Sequence, residues 1–131
     1  MDSGSFRVLC VDDDADCREL INVWLRLAPD SYEMTSCPDA AGALHFLKQK
    51  SVDVIILDDW LPDSSGVDLC REIRKVDRTT PILFFSASAF RSTITQAFEA
   101  GANSYITKPA DGEEFVSVIE NLLKPTHAIA A

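Results

Sequence analysis

A chain of 131 residues is the size of one ordinary domain. With 47% hydrophobic and 25% charged residues, it has the composition of a globular protein rather than a disordered one. The 12 Lys and Arg against 21 Asp and Glu leave a net charge of −9 with no basic run, which argues against direct nucleic-acid contact or docking on an anionic membrane and favours a divalent cation or a basic partner face.

The predicted elements alternate between strand and helix. FRVLCV (6–11) reads as a strand, and ADCRELINVWLRLA (15–28) as a helix stopped by Pro29. YEMTS (32–36) is a short second strand. PDAAGALHFLKQK (38–50) follows as a helix that Pro38 is expected to open, near its first turn, with Asp39 beside it. VDVIIL (52–57) is the third strand and VDLCREIRK (67–75) the helix after it. PILFFS (81–86) precedes a helix over 91–100 that Gly101 closes. NSYIT (103–107) and DGEEFVSVIENLLK (111–124) complete five β–α units.

Strands one, three and four are nearly continuous apolar runs, the pattern of strands covered on both faces. Right-handed crossovers between parallel strands then give a doubly wound α/β fold. Residues 1–5 are expected to be a disordered N-terminus, and 125–131 (PTHAIAA) a frayed tail with no linker or output domain after Lys124. Cys10, Cys17, Cys37 and Cys70 form no C-x-x-C pair and read as buried thiols. The start MDSGSFRVLCVDDD is not built like a signal peptide, and no apolar run is long enough to cross a bilayer. A soluble cytoplasmic protein is expected.

In doubly wound sheets, ligands bind at the carboxyl ends of the strands. Strand one ends in Asp12, Asp13 and Asp14, and strand three in Asp58 and Asp59. Strand four ends in Ser86, and strand five runs into Thr107, Lys108 and Pro109. Each group alone has an ordinary reading: Asp14 as a helix N-cap, Ser86 as a turn residue, Lys108 as a solvated lysine. Together they form a coherent set. Clustered carboxylates suit Mg²⁺, a carboxylate beside the metal can attack phosphorus, and a lysine and a hydroxyl can share the phosphoryl charge.

In order and spacing these motifs resemble the receiver domain of two-component response regulators, over residues 6–124. VDDD (11–14) resembles the family's acidic pair. D-x-x-x-P-x-x-x-G occurs as Asp58, Pro62 and Gly66, a spacing that Asp59 does not have. PILFFSAS resembles the fourth strand with its hydroxyl, Ser86, and a small residue, Ala87. AGANSYITKP resembles the last strand, with Tyr105 three residues before Lys108. The resemblance implies a chemotaxis-regulator-like, flavodoxin-like sandwich of three layers, with strand order 2-1-3-4-5 and five helices. It also implies that Asp58 accepts a phosphoryl group from a histidine kinase or phosphotransfer protein. Mg²⁺ would be held by Asp13, Asp58 and the backbone carbonyl of Trp60, with Asp12 acting through water. Ser86 and Lys108 would contact the phosphoryl group, with Tyr105 as the switch aromatic and Lys108–Pro109 a cis bond.

The implied protein is a regulator that assists its own phosphorylation and dephosphorylation, not an enzyme with a separate substrate. Its surface over helix four, strand five and helix five, residues 90–122, would be read by a downstream protein or output domain. Trp60, two residues after the phosphoacceptor, is expected to slow attack by water. Ser for the commoner Thr at 86 keeps the hydroxyl. KPAD after strand five, and a final helix without a basic cluster, depart from the DNA-binding subfamily. The alternatives are a phosphorylation-independent adaptor, disfavoured by the intact acidic, hydroxyl and lysine set, and an aspartyl phosphohydrolase, which lacks its acid–base motif. His45 and His127 are not candidates, and the missing glycine-rich loop excludes a dinucleotide binder.

Overall fold

A computed structural model describes residues 4–124. The ten elements are β1 Ser5–Val11, α1 Ala15–Leu27, β2 Ser31–Cys37, α2 Ala40–Gln49, β3 Val54–Leu57, α3 Gly66–Arg74, β4 Ile82–Ser86, α4 Arg91–Ala100, β5 Ser104–Thr107 and α5 Gly112–Leu123. All strand pairs are parallel, in the order β2-β1-β3-β4-β5. The doubly wound sheet expected from the strand patterns is therefore present.

Strand side chains alternate between faces, and here both faces are buried. On one side Leu9, Val11, Ile55, Leu57, Ile82 and Phe84 pack with Ala40 and Ala43 of α2, Leu69 and Ile73 of α3, and Ala97 of α4. On the other, Val8, Cys10, Val54, Ile56, Leu83 and Phe85 pack with Ile21 and Leu25 of α1 and Phe115 and Ile119 of α5. The result is a sandwich of three layers with a core on each side of the sheet. Each fully buried Leu, Ile or Phe contributes about 1.5–3 kcal/mol.

Asp14 caps α1, its side chain accepting from the N–H of Asp16, as its ordinary reading expects. Pro38 does not open α2; it lies two residues before the first helical residue. Asp39 is the N-cap, accepting from the N–H of Gly42 at 2.8 Å, and the helix begins at Ala40. A carboxylate acceptor defines the helix start more strongly than the fixed φ of proline. Gly101, at φ 120°, ends α4 in the left-handed region that only glycine enters freely. The N-terminal boundary also moves: Ser5 pairs with Ser31 inside β1, so order reaches into the segment expected to be disordered. Residues 1–3 and the tail 125–131, with His127, lie outside the described residues. All four cysteines are free, three of them buried and Cys17 half-buried. Among the described residues, no helix is long and apolar enough to cross a membrane.

Register places the chemistry. Val11 pairs with Leu57, so the residues that follow them, Asp12 and Asp58, leave the sheet side by side. The N–H of Asp58 donates to Val11 O at 3.0 Å, and the N–H of Asp12 to Cys37 O at 3.0 Å. Ser86 pairs with Thr107, which delivers Lys108 to the same edge; its N–H donates to Ser86 O at 2.8 Å.

Candidate functional site

Three carboxylates converge at the carboxyl edge of the sheet. Asp12, Asp13 and Asp58 each present an oxygen, and these atoms all lie within 4.8 Å of one another. Asp12 and Asp58 are buried, at 2% and 8% exposure, whereas Asp13 is open to solvent. An all-oxygen donor set of this size, open on one side, fits a hard divalent cation such as Mg²⁺, which keeps several of its own waters.

Lys108 reaches into the cluster from the end of β5. Its ammonium lies 3.0 Å from Asp12 Oδ2 and 3.6 Å from Asp58 Oδ2, over the ring of Phe85 at 5.4 Å. Burial works against its charge, but the hydrogen bond to Asp12 and the charges of Asp58 and Asp12 outweigh burial and raise its pKa. Asp58 responds in the opposite way. Burial and the neighbouring Asp12 push its carboxyl above the usual range, despite Lys108 and the backbone N–H groups of Trp60 and Asp59. One ammonium cannot compensate the whole cluster, and for Asp58 burial is the larger effect.

The switch candidates lie on the neighbouring strands. Ser86 is fully buried at the end of β4, and its Oγ accepts from the N–H of Ser88 at 3.3 Å. Tyr105 is half-buried, stacks on Phe84 at 5.7 Å, and donates its hydroxyl to Ser88 O at 2.7 Å. It therefore joins β5 to the loop that begins α4, a link beyond an ordinary core aromatic. Ala87 is exposed in that loop, and the Lys108–Pro109 bond is cis.

The loop from Asp58 to Gly66 is closely pinned. A Cβ on Gly66 would overlap the Asp58 carbonyl oxygen and lie 2.9 Å from Asp59 Cα, so only glycine permits this approach. Gly66 N–H donates to Asp59 O at 2.8 Å, and Trp60 bridges to Ser65. Pro62 is exposed at the apex and Leu61 is buried. Asp59 stands outside the carboxylate cluster; its Oδ1 accepts from the N–H of Val67 at 3.3 Å. The Trp60 side chain is 76% exposed and lines a groove of about 610 Å³ with Leu61, Ser65, Ser88 and Phe90.

Two residues of this neighbourhood, Arg18 and Asp63, were not singled out by the sequence, and Cys17 was singled out only as a buried thiol. Arg18 donates to the Asp12 carbonyl at 2.7 Å from α1. Cys17, whose thiol burial and Asp12 push up to about 12, stays neutral beside the acidic pair. Asp63 accepts from Ala40 and Ala41 of α2. In sequence, Arg18 resembles a solvated helix residue and Asp63 a turn former after proline; only tertiary contact separates them from those roles.

A model of the response regulator receiver domain matches residues 8–120. The chain belongs to the response regulator receiver family. This receiver is 38% identical over 117 residues to the transcriptional regulatory protein CseB of Streptomyces coelicolor, covering 89% of this chain and 49% of that protein. It is 34% identical over 121 residues to the phosphate regulon transcriptional regulatory protein PhoB of Pseudomonas aeruginosa, covering 91% of this chain and 52% of that protein. The receiver thus spans about half the length of these curated relatives. Its fold overlays the chemotaxis response regulator CheY4 of Vibrio cholerae with a TM-score of 0.84 at 26% identity, covering 91% of this chain and 99% of that one.

Proposed function

We propose that this receiver is a phosphorylation-dependent switch that takes a phosphoryl group onto Asp58 from a histidine kinase or phosphotransfer protein, with Mg²⁺ held by Asp13, Asp58 and the Trp60 carbonyl and with Asp12 acting through water. The observation that carries this reading is the convergence of Asp12, Asp13 and Asp58 around one point, with Lys108 in contact with two of them. When bound, the cation supplies charge neutralisation for the phosphoryl oxygens.

The receiver's own groups do the rest. Buried at the strand end, Asp58 presents its carboxylate oxygen to phosphorus as the bond to the donor nitrogen breaks. Lys108 moves its contact from the carboxylates to a phosphoryl oxygen. Ser86, whose Oγ accepts a long bond from Ser88 N–H in this structure, turns its hydroxyl towards the phosphoryl group. Tyr105 is tied to Ser88 O and follows that loop, carrying the change to the start of α4 and the β5–α5 surface. Each charge-assisted hydrogen bond is worth about 1.5–3 kcal/mol. A few of them reach the roughly 5.5 kcal/mol that moves a two-state equilibrium from 1:99 to 99:1.

A partner protein or an output domain reads that surface, and the charge of −9 favours contact with protein over direct nucleic-acid contact by this segment. Four free thiols support a reducing, cytoplasmic setting. Calorimetric titration with Mg²⁺ tests the metal site: wild type binds one ion, and Asp13→Asn, an exposed substitution that leaves the core intact, weakens binding at least tenfold, about 1.4 kcal/mol. Equal affinity in the two proteins would remove Asp13 from the site.

A further inference from the structure

We propose that Asp63 is a positioning residue for this chemistry, clamping the Asp58-bearing loop to the N-terminus of α2 and thereby setting where the Trp60 carbonyl lies relative to the three carboxylates. The assignment rests on the phosphoacceptor reading above and adds a residue from outside the cluster.

The clamp is built from two carboxylates. Asp63 Oδ1 accepts from the N–H of Ala40 at 2.9 Å, and Oδ2 from the N–H of Ala41 at 3.0 Å. Asp39, the N-cap, takes the next N–H, that of Gly42, at 2.8 Å. The first three donors of α2 are therefore all satisfied, two of them by a residue 22 or 23 positions away in the chain. A helix N-terminus favours an anion, so these are charge-assisted bonds held in fixed directions. The two N–H groups hold the exposed Asp63 carboxyl below its usual range, as the carboxylate form of such a clamp requires.

Asp63 matters because the rest of the loop leaves one freedom open. Near its two ends the loop is closed by the Gly66 N–H on Asp59 O and the bridge between Trp60 and Ser65. Leu61 is buried at 7% exposure and holds the apex down on the core. Apolar burial is non-directional, however, and tolerates sliding. The Asp63 bonds are the directional contacts that fix the apex laterally against α2. Without them Asp58 keeps its place at the end of β3, paired through Val11 O, while the segment 60–63 drifts. The expected defect is therefore in cation affinity more than in the phosphoacceptor itself.

The test uses Asp63→Ala, Asp63→Asn and Ala41→Pro. The proline removes one of the two donors from the helix side; the first turn of a helix tolerates it, and Ala41 is exposed. Mg²⁺ affinity is measured by calorimetry, and adduct formation at Asp58 by intact mass with a small acyl phosphate across Mg²⁺ concentrations. Thermal unfolding is followed in parallel. Asp63→Ala is expected to raise the Mg²⁺ dissociation constant about fivefold to tenfold, less than the full worth of a charge-assisted bond because the clamp acts on the cation only through the loop. Ala41→Pro and Asp63→Asn, each keeping part of the clamp, should shift it less, and saturating Mg²⁺ should restore the adduct rate in all three. Wild-type Mg²⁺ affinity in both Asp63→Ala and Ala41→Pro, with only the unfolding temperature lowered, would overturn the assignment and leave Asp63 a helix cap. Failure of the phosphoacceptor reading would look different, since the wild type itself would then form no adduct.

Discussion

Asp58 is held in a conflict between burial and charge. Its folded pKa lies above the ordinary 3.8, chiefly through burial. A carboxyl raised in this way contributes stability that is fully present below its unfolded pKa and is lost as pH rises through its folded pKa. With divalent cations chelated, Asp58→Asn is therefore expected to melt higher than wild type at neutral pH, and the gap should close as pH falls below 3.8. Thermal unfolding across pH checks this; a less stable Asn variant at pH 7 in chelator would contradict it. Added Mg²⁺ should stabilise wild type and leave Asp58→Asn nearly unchanged. Trp60 lines the groove beside the loop that follows Asp58 and, in the proposed reading, is expected to restrict the approach of water. Decay of the adduct, followed by mass, should be several-fold faster in Trp60→Asn; an unchanged lifetime would refute that role. The residues brought to the edge by strand register, Asp12, Asp58, Ser86 and Lys108, were legible because each ends or directly follows a predicted strand. Arg18 and Asp63 were not, because their partners lie on other elements and neither carries a local pattern beyond a helix face or a turn.

Helices and strands were readable in kind and order, and their ends less so. The apolar runs VIIL and ILFF leave no choice but strands buried on both faces, and the two cores divide their residues alternately. Pro38 misled because proline favours a first helical turn in general, whereas the Asp39 carboxylate competes for that start and wins. Ser5 carries no strand signal of its own, being a polar residue next to Gly4, yet it pairs with Ser31 of β2. A contact hidden in the same way joins α3 to the β4–β5 side. Arg74 donates through Nε and Nη2 to Gly101 O at 3.1 and 2.9 Å, through Nη2 to Asn103 Oδ1 at 3.0 Å, and through Nη1 to Asp77 O at 3.0 Å. Asn103 Oδ1 also accepts from the N–H of Ile82, which joins the entries to β4 and β5. Arg74→Ala should lower stability by about 2–3 kcal/mol in urea unfolding, since it strands acceptors that a guanidinium fork satisfied together. Arg74→Lys should recover little of it, because an ammonium cannot span the same acceptors; full recovery would contradict the fork argument.

At the scale of the whole molecule, the candidate chemistry gathers at one edge of the sheet, and in the proposed reading the partner-facing surface runs along α4, β5 and α5. The strand order brings β1 and β3 together at the point where the chain reverses direction across the sheet, so the acidic residues of two loops share one pocket. Lys108 and Tyr105 lie within three residues of each other, one at the pocket and one on the loop that starts α4. Fold and family could be read from motif order, whereas the choice of partner follows no local pattern in these residues. The central claim is that Asp58 accepts the phosphoryl group in a Mg²⁺-dependent reaction. Intact-protein mass after incubation with a small acyl phosphate and Mg²⁺ tests it most directly, comparing wild type, wild type with chelator, and Asp58→Asn. The account predicts one phosphoryl adduct in wild type with Mg²⁺ and none in the other two. An equal adduct in Asp58→Asn, or none in wild type, would contradict it, and the second result would favour a phosphorylation-independent adaptor.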